Sequence, residues 1–392
     1  MISTKIKNID FSGTMEIAGK TIEMQNAGID VVNLCVGEPD LPTPEHIKEA
    51  AKIAITNNQT KYASNSGLKE LKIAIQKKYE EEYNVKFSLD EIIVSNGAKQ
   101  SVYNAIQTIV DSNDEVIIPA PYYVSYFDMV KLAGAIPKVI KTKAKNDFKI
   151  TVSEIEQNIN SKTKAIILCN PSNPTGAVFT KNELIDIVEV SLANNLIIIS
   201  DEIYEKLIYD SLEFTSIASL GKKAIDNSII INGVSKSYSM TGWRIGYALA
   251  NKSITEGMNK LQSHSTSSAC TISQHAAIEA LIGSQECVET QREIFEKRRN
   301  YIVSELEKID LVSFSKPAGA FYFFVDISKV IESSKYITNS RDFCLKLLNE
   351  NLVATVPGSV FGMEGYIRIS YSKSMDELKT AMERLKEFIE KL

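Results

Sequence analysis

The chain is poor in the residues that mark several common chemistries. Its 392 residues include three histidines, one tryptophan and five cysteines. His46, His264 and His275 form no HExxH pattern, which argues against a histidine-bound metal. Cys35, Cys169, Cys270, Cys287 and Cys344 are scattered without a CxxC pair. They read as reduced thiols, not as a disulfide framework or a zinc site. Long apolar runs are missing too: stretches such as LIII fall far short of the ~20 residues of a membrane span. MISTKIKNIDFSG has no apolar core of signal-peptide length, so a soluble, cytoplasmic protein is expected. The net charge of −5 is spread without single-sign blocks, which makes nucleic acid and anionic membranes poor partners.

Several nucleotide and hydrolase motifs are absent as well. The sequence has no GxGxxG and no GxSxG. GTMEIAGKT (13–21) puts five residues between its glycines where a P-loop needs four, and Met15, Ala18 and Ile22 recur at helical spacing. It reads as a helix. SGLK (66–69) matches SxxK, but its companion KTG is nowhere in the chain.

What is present is a chain 44% hydrophobic, enough for a large core and for two domains. Short apolar runs alternate with helical patterns: EIIVS (91–95), EVIIPAP (115–121), KAIILCN (164–170), LIIIS (196–200) and SIII (228–231). Runs apolar on both faces suit strands buried between helices, and the alternation predicts an α/β domain with a mostly parallel sheet. A helix is expected from about 182 to 194, and a long charged helix from about 284. The last hundred residues mix strands and helices, as in a smaller α+β domain.

Polar groups gather where those strands end, which is where open α/β sheets bind ligands. SNGAKQ (95–100) is either a capped turn or an anion cradle of helix N-terminal amides. CNPSNPTG (169–176) is either a structural turn or a rigid loop presenting Asn173 to a ligand. Asp201 in SDEIYEKLIY is either a helix cap or a buried carboxylate placed for a cationic ring nitrogen, with Tyr204 beside it. In SKSYSMTGWRIGY (235–247), Lys236 and Arg244 are either surface cations or a pocket pair. In a pocket the lysine would become a usable amine nucleophile and the arginine an anion grip.

Taken in order, GEPDLPTP, KYASNSG, SNGAK, APYYVSY, CNPSNPTGA, SDEIYE, SKSYSMTGWRIGY, GAFYFFVD and YIRISYS closely resemble the class I and II aminotransferases. These are fold-type-I enzymes that use pyridoxal 5′-phosphate, and the bacterial aspartate aminotransferase branch is the best match. The likeness runs from about Phe11 to the last helix. It implies a seven-stranded, mostly parallel sheet between helices over residues 45–290. It also implies a small α+β domain built from 1–44 and 291–392.

The resemblance assigns roles. Lys236 would bond the cofactor and shuttle the proton at the substrate Cα. Asp201 would pair with the pyridinium nitrogen, and Asn173 and Tyr204 with the ring oxygen. The phosphate would be held by the Gly97–Ala98–Lys99 backbone and Arg244, and by Tyr62 from the other subunit of a homodimer with shared sites. Tyr123 would stack on the ring, where many relatives have tryptophan. Gly233 stands where many have a phosphate-binding serine, with Ser235 nearby. Arg368 would take the substrate α-carboxylate, and Gly37 would let backbone approach it. For an acidic side chain the branch implies Lys99, with Ser12 and Thr14. Transamination of aspartate or glutamate with a 2-oxo acid is the expected activity. Aromatic, alanine or prephenate transamination and a C–S lyase are the alternatives.

Overall fold

The structure, a computed structural model, describes residues 2–9 and 15–392. Seven strands form the large sheet, in the order Ile92–Ser95, Gly246–Leu249, Ser228–Gly233, Ile197–Asp201, Thr163–Cys169, Glu115–Ala120 and Ile136–Lys141. Every pairing from Ser228–Gly233 to Ile136–Lys141 is parallel. Gly246–Leu249 runs antiparallel to both of its neighbours. The mostly parallel seven-stranded sheet is as expected.

Side chains alternate along these strands with a period of two, so each strand feeds both faces. Ile92, Val94, Ile117, Ile166, Leu168, Ile198 and Ile230 enter one apolar core. Ile93, Val116, Ile118, Ala165, Ile167, Ile199, Ile229 and Ile231 enter another. Each such valine, leucine or isoleucine contributes about 1.5–3 kcal/mol by leaving water. That explains why runs of isoleucine and valine, apolar at consecutive positions, form strands here.

The helices flanking the sheet start where the sequence supplies caps. Thr180 and Glu183 form a reciprocal capping box at the start of Lys181–Ala193, close to the expected 182–194. The described part of the stretch 13–21, from Met15 on, lies in the helix Met15–Asn26.

A third core joins the two chain ends. The four-stranded antiparallel sheet Val356–Pro357, Tyr366–Ser370, Tyr322–Asp326 and Ser313–Phe314 packs Phe323, Val325, Ile367 and Ile369 against Leu378, Leu385 and Phe388 of the last helix, Met375–Glu390. Val32–Asn33 pairs in parallel with Val353–Ala354, and Ile17, Val31 and Leu34 enter the same core. The charged helix Glu286–Leu306 spans about 30 Å. It adds Phe295, Ile302 and Leu306.

Candidate active site

The parallel strands all end on one side of the sheet, and the antiparallel Gly246–Leu249 begins there. The loops after Ser95, Ala120, Cys169, Asp201 and Gly233 and the loop before Gly246 therefore meet at one edge. There they enclose a cavity of about 460 Å³. Its walls include Gly37, Ala98, Lys99, Tyr123, Asn173, Asp201, Tyr204, Ser235, Lys236, Arg244 and Arg368. Gly97 precedes Ala98 as the cap of the helix Ala98–Ile109. One of the expected residues stands elsewhere among the described residues. Tyr62 is 94% exposed and outside the cavity. Ser12 and Thr14 lie outside the described residues.

Lys236 lies in the turn after the strand Ser228–Gly233. Its Nζ donates to the Gly37 carbonyl at 2.7 Å. Burial of the amine is the largest influence on its basicity. Glu38 opposes that effect, Arg244 and Arg368 add to it, and Asp201 opposes it. The balance brings the pKa down to about 8. Burial outweighs the neighbouring Arg244. Near pH 8 half of such amines are neutral and nucleophilic.

Gly37 reaches the lysine because the segment before it lies along the strand Tyr366–Ser370: the Ser370 amide donates to the Leu34 carbonyl at 3.1 Å. A Cβ on Gly37 would overlap the Tyr322 hydroxyl, so only glycine brings this carbonyl so near.

Asp201, the last residue of its strand, is buried. Tyr126 Oη donates to its Oδ2 at 2.7 Å, and the Ile203 amide faces its Oδ1 at 3.4 Å. Burial raises the carboxyl's pKa, and these donors and the charge of Lys236 offset only part of the rise. A carboxylate held this way is open to a cationic partner on the cavity side.

Tyr204 and Tyr322 share a hydrogen bond at 2.9 Å between their hydroxyls. Asn173 Oδ1 accepts from Arg368 Nη1 at 3.1 Å. Arg368 also donates through Nη2 to the Cys35 carbonyl at 2.6 Å. Its guanidinium stacks 4.6 Å from the Tyr322 ring centre and 5.0 Å from that of Phe361. Its Nε is buried without a hydrogen-bond partner among the described residues.

Arg244 is exposed and differently held. Its backbone is left-handed, with φ 56°. Nη1 donates to the Thr241 carbonyl at 2.8 Å and Nη2 to the Asn96 carbonyl at 3.4 Å. It lies against Gly97, whose φ of +84° and missing Cβ admit the guanidinium. The amides of Ala98 and Lys99 stand in the first helical turn, where no intrahelical acceptor is available. Lys99 Nζ lies 5.5 Å from the Tyr123 ring centre.

Sequence reasoning missed Tyr126 and Tyr322. Tyr126 follows Tyr123 by one helical turn in PYYVSY, a spacing that could have flagged it. Tyr322 sits in an aromatic strand, GAFYFF, where nothing separates it from core.

Residues 29–385 match the family described as aminotransferase class I and II. The chain is 44% identical over 389 residues to an aspartate aminotransferase of Bacillus sp. (strain YM-2), with 99% of each chain covered. It is 45% identical over 390 residues to a probable aspartate/prephenate aminotransferase of Rickettsia bellii, with 98% of each covered. The crystal structure of the Rhizobium meliloti aspartate aminotransferase superposes with a TM-score of 0.95 at 38% identity, covering 100% of this chain and 99% of that one. The chain belongs to the class I and II aminotransferase family, and is a transaminase that works with pyridoxal phosphate.

Proposed function

We propose that the cavity moves the amino group of aspartate or glutamate to a 2-oxo acid, with the residues above in the roles the family implies. The observation that carries this reading is Arg368. It is 4% exposed, holds one carbonyl and one amide oxygen, and leaves Nε unpartnered. A buried guanidinium with no described carboxylate partner is costly unless an anion arrives. An α-carboxylate fits its planar fork.

The remaining groups fit pyridoxal phosphate. The Ala98 and Lys99 amides and Arg244 converge where a phosphate would sit, with the helix N-terminus behind them. Asp201 is a buried carboxylate suited to a protonated ring nitrogen, and Asn173 and Tyr204 are donors for the ring oxygen. Tyr123 offers a ring face. When bound, the cofactor supplies an aldehyde and an electron-withdrawing ring. Lys236 would supply the amine for that aldehyde, and its free amine would be the base that takes and carries the proton of the substrate Cα. Lys99, exposed at the cavity wall, is the cation available for a side-chain carboxylate, with Ser12 and Thr14 as its proposed companions.

The same reading includes a homodimer with shared sites. Tyr62 stands 94% exposed on a loop that is itself anchored, through Thr271 Oγ1 to the Lys61 carbonyl and Gln262 Nε2 to the Asn65 carbonyl. A fixed loop with an outward tyrosine suits a residue that completes a second copy's phosphate site. It also includes a division into 45–290 and 1–44 plus 291–392, and a cytoplasmic location. No helix among the described residues is long and apolar enough to cross a membrane. Prephenate as an amino acceptor is a second reading, favoured by the names of the Rickettsia relatives.

The test is a visible spectrum of purified, cofactor-loaded protein before and after each amino acid. Aspartate and glutamate should convert the bound cofactor to its amino form, and 2-oxoglutarate or prephenate should reverse this. Conversion by alanine or phenylalanine at equal efficiency would overturn the acidic preference.

A further inference from the structure

Both ends of Lys236 are tied to one face of one helix. Gln291, in the second turn of Glu286–Leu306, is 4% exposed. Its Nε2 donates to the Lys236 carbonyl at 2.7 Å, and its Oε1 accepts from Ser239 Oγ at 2.7 Å. These bonds brace the turn that carries the lysine, which the Met240 amide closes onto the Ser235 carbonyl at 3.1 Å.

Arg298 lies seven residues further, two turns along the same face. It is 6% exposed and grips Asp40 with two bonds, 2.6 and 2.8 Å. Asp40 lies in the GEPD loop, and Gly37 at the start of that loop is the acceptor for Lys236 Nζ at 2.7 Å. One helix thus holds the lysine's backbone with Gln291 and the loop its amine rests on with Arg298. Packing alone would be served by apolar residues, since buried amide and guanidinium groups are costly without such partners.

We propose that Gln291 and Arg298 are positioning residues for Lys236, setting the separation between its backbone and the Gly37 carbonyl and so the place where its amine stands. The consequence for catalysis rests on the reading of Lys236 given above; the positioning itself does not need the cofactor.

The bond to Gly37 favours the ammonium form, so loosening it lowers the lysine's affinity for a proton. The other groups facing the amine are Asp201 and Glu38, which favour the charge, and Arg244 and Arg368, which oppose it. The rings of Tyr204 and Phe321 stand 6.0 and 5.9 Å away.

The experiment uses the cofactor-free protein. Acetylation of the Lys236 peptide by acetic anhydride is followed by mass spectrometry over a pH range that spans the free-lysine value. Gln291→Met keeps the volume and loses both bonds. Arg298→Lys keeps the charge and loses the two-pronged grip. Each should lower the midpoint by about half a unit or more, roughly threefold in proton affinity. Arg292→Met, which breaks ion pairs with Glu289 and Glu296 on the same helix, should leave the midpoint unchanged. Circular dichroism checks that each variant folds. Should Gln291→Met fail to fold, Ser239→Ala takes its place, with a smaller shift in the same direction. Folded variants that titrate with the parent would overturn the proposal. A shifted midpoint with the cofactor attached to some other lysine would leave the positioning intact and sink the catalytic assignment instead.

Discussion

Two arginines serve one cavity from two parts of the molecule, and they are held in opposite ways. Arg244 stands at the edge of the large sheet, exposed, on left-handed backbone, fixed by carbonyls of its own and a neighbouring loop. Arg368 projects from the four-stranded sheet, buried between aromatic rings and pinned by Asn173 and the Cys35 carbonyl. Arg244 lies beside helix amides and Gly97, whereas Arg368 lies beside the Cys35 carbonyl and Tyr322, on backbone from both chain ends. On the proposed reading the difference matches two kinds of anion: a resident phosphate would be served by rigid sheet-edge loops, and a substrate carboxylate that enters and leaves each cycle by a buried fork drawn from a separate core.

Breaking Arg368 should do the most damage. Arg368→Ala removes the buried anion partner, and loss of such a pair costs about 3–5 kcal/mol. That is about 10²- to 5 × 10³-fold in kcat/KM for every amino acid, with cofactor affinity nearly unchanged. Steady-state kinetics and cofactor titration separate the two quantities.

The exposed arginine should show the reverse pattern at smaller size. Arg244→Ala loses charge-assisted bonds worth about 1.5–3 kcal/mol, or roughly ten- to a hundredfold in cofactor affinity. Equilibrium dialysis measures it, and KM for amino acid at saturating cofactor should move little.

Lys99→Ala sharpens the comparison within the substrate site. Its loss should lower kcat/KM for aspartate and glutamate about ten- to a hundredfold more than for alanine or phenylalanine. An equal fall for acidic and neutral substrates would show that Lys99 does not read the side chain.

Tyr62→Phe should have the smallest effect. One lost hydroxyl hydrogen bond would weaken cofactor binding about two- to tenfold, leaving the proposed dimer intact. Analytical ultracentrifugation showing a fully active monomer would remove the shared-site picture.

Much of this was legible in the sequence because strand ends write their own signals. The apolar runs ending at Ser95, Cys169 and Asp201 and the one before Lys236 located both the sheet and the loops that bear chemistry. Two strands escaped. Ile136–Lys141 is an edge strand, with a proline and lysines among its residues and its ends exposed; proline is tolerated there and blurs the pattern. Gly246–Leu249 is four residues long and follows a loop rich in small residues.

The sequence pointed to most of the polar residues that line the cavity, but not to those that support them. Tyr126, Gln291 and Arg298 lie on helices, where a polar residue on an inward face looks like any other until the packing is seen. Their partners, Asp201, Lys236 and Asp40, are 75, 55 and 258 residues away along the chain, a distance no local pattern reports.

The account stands or falls on Lys236. The direct measurement is borohydride reduction of the cofactor-loaded protein, followed by digestion and mass mapping of the labelled peptide. The account predicts a single label, on the lysine within GVSKSYSMTGWR. A label on any other lysine, or none on Lys236 in active protein, would contradict it.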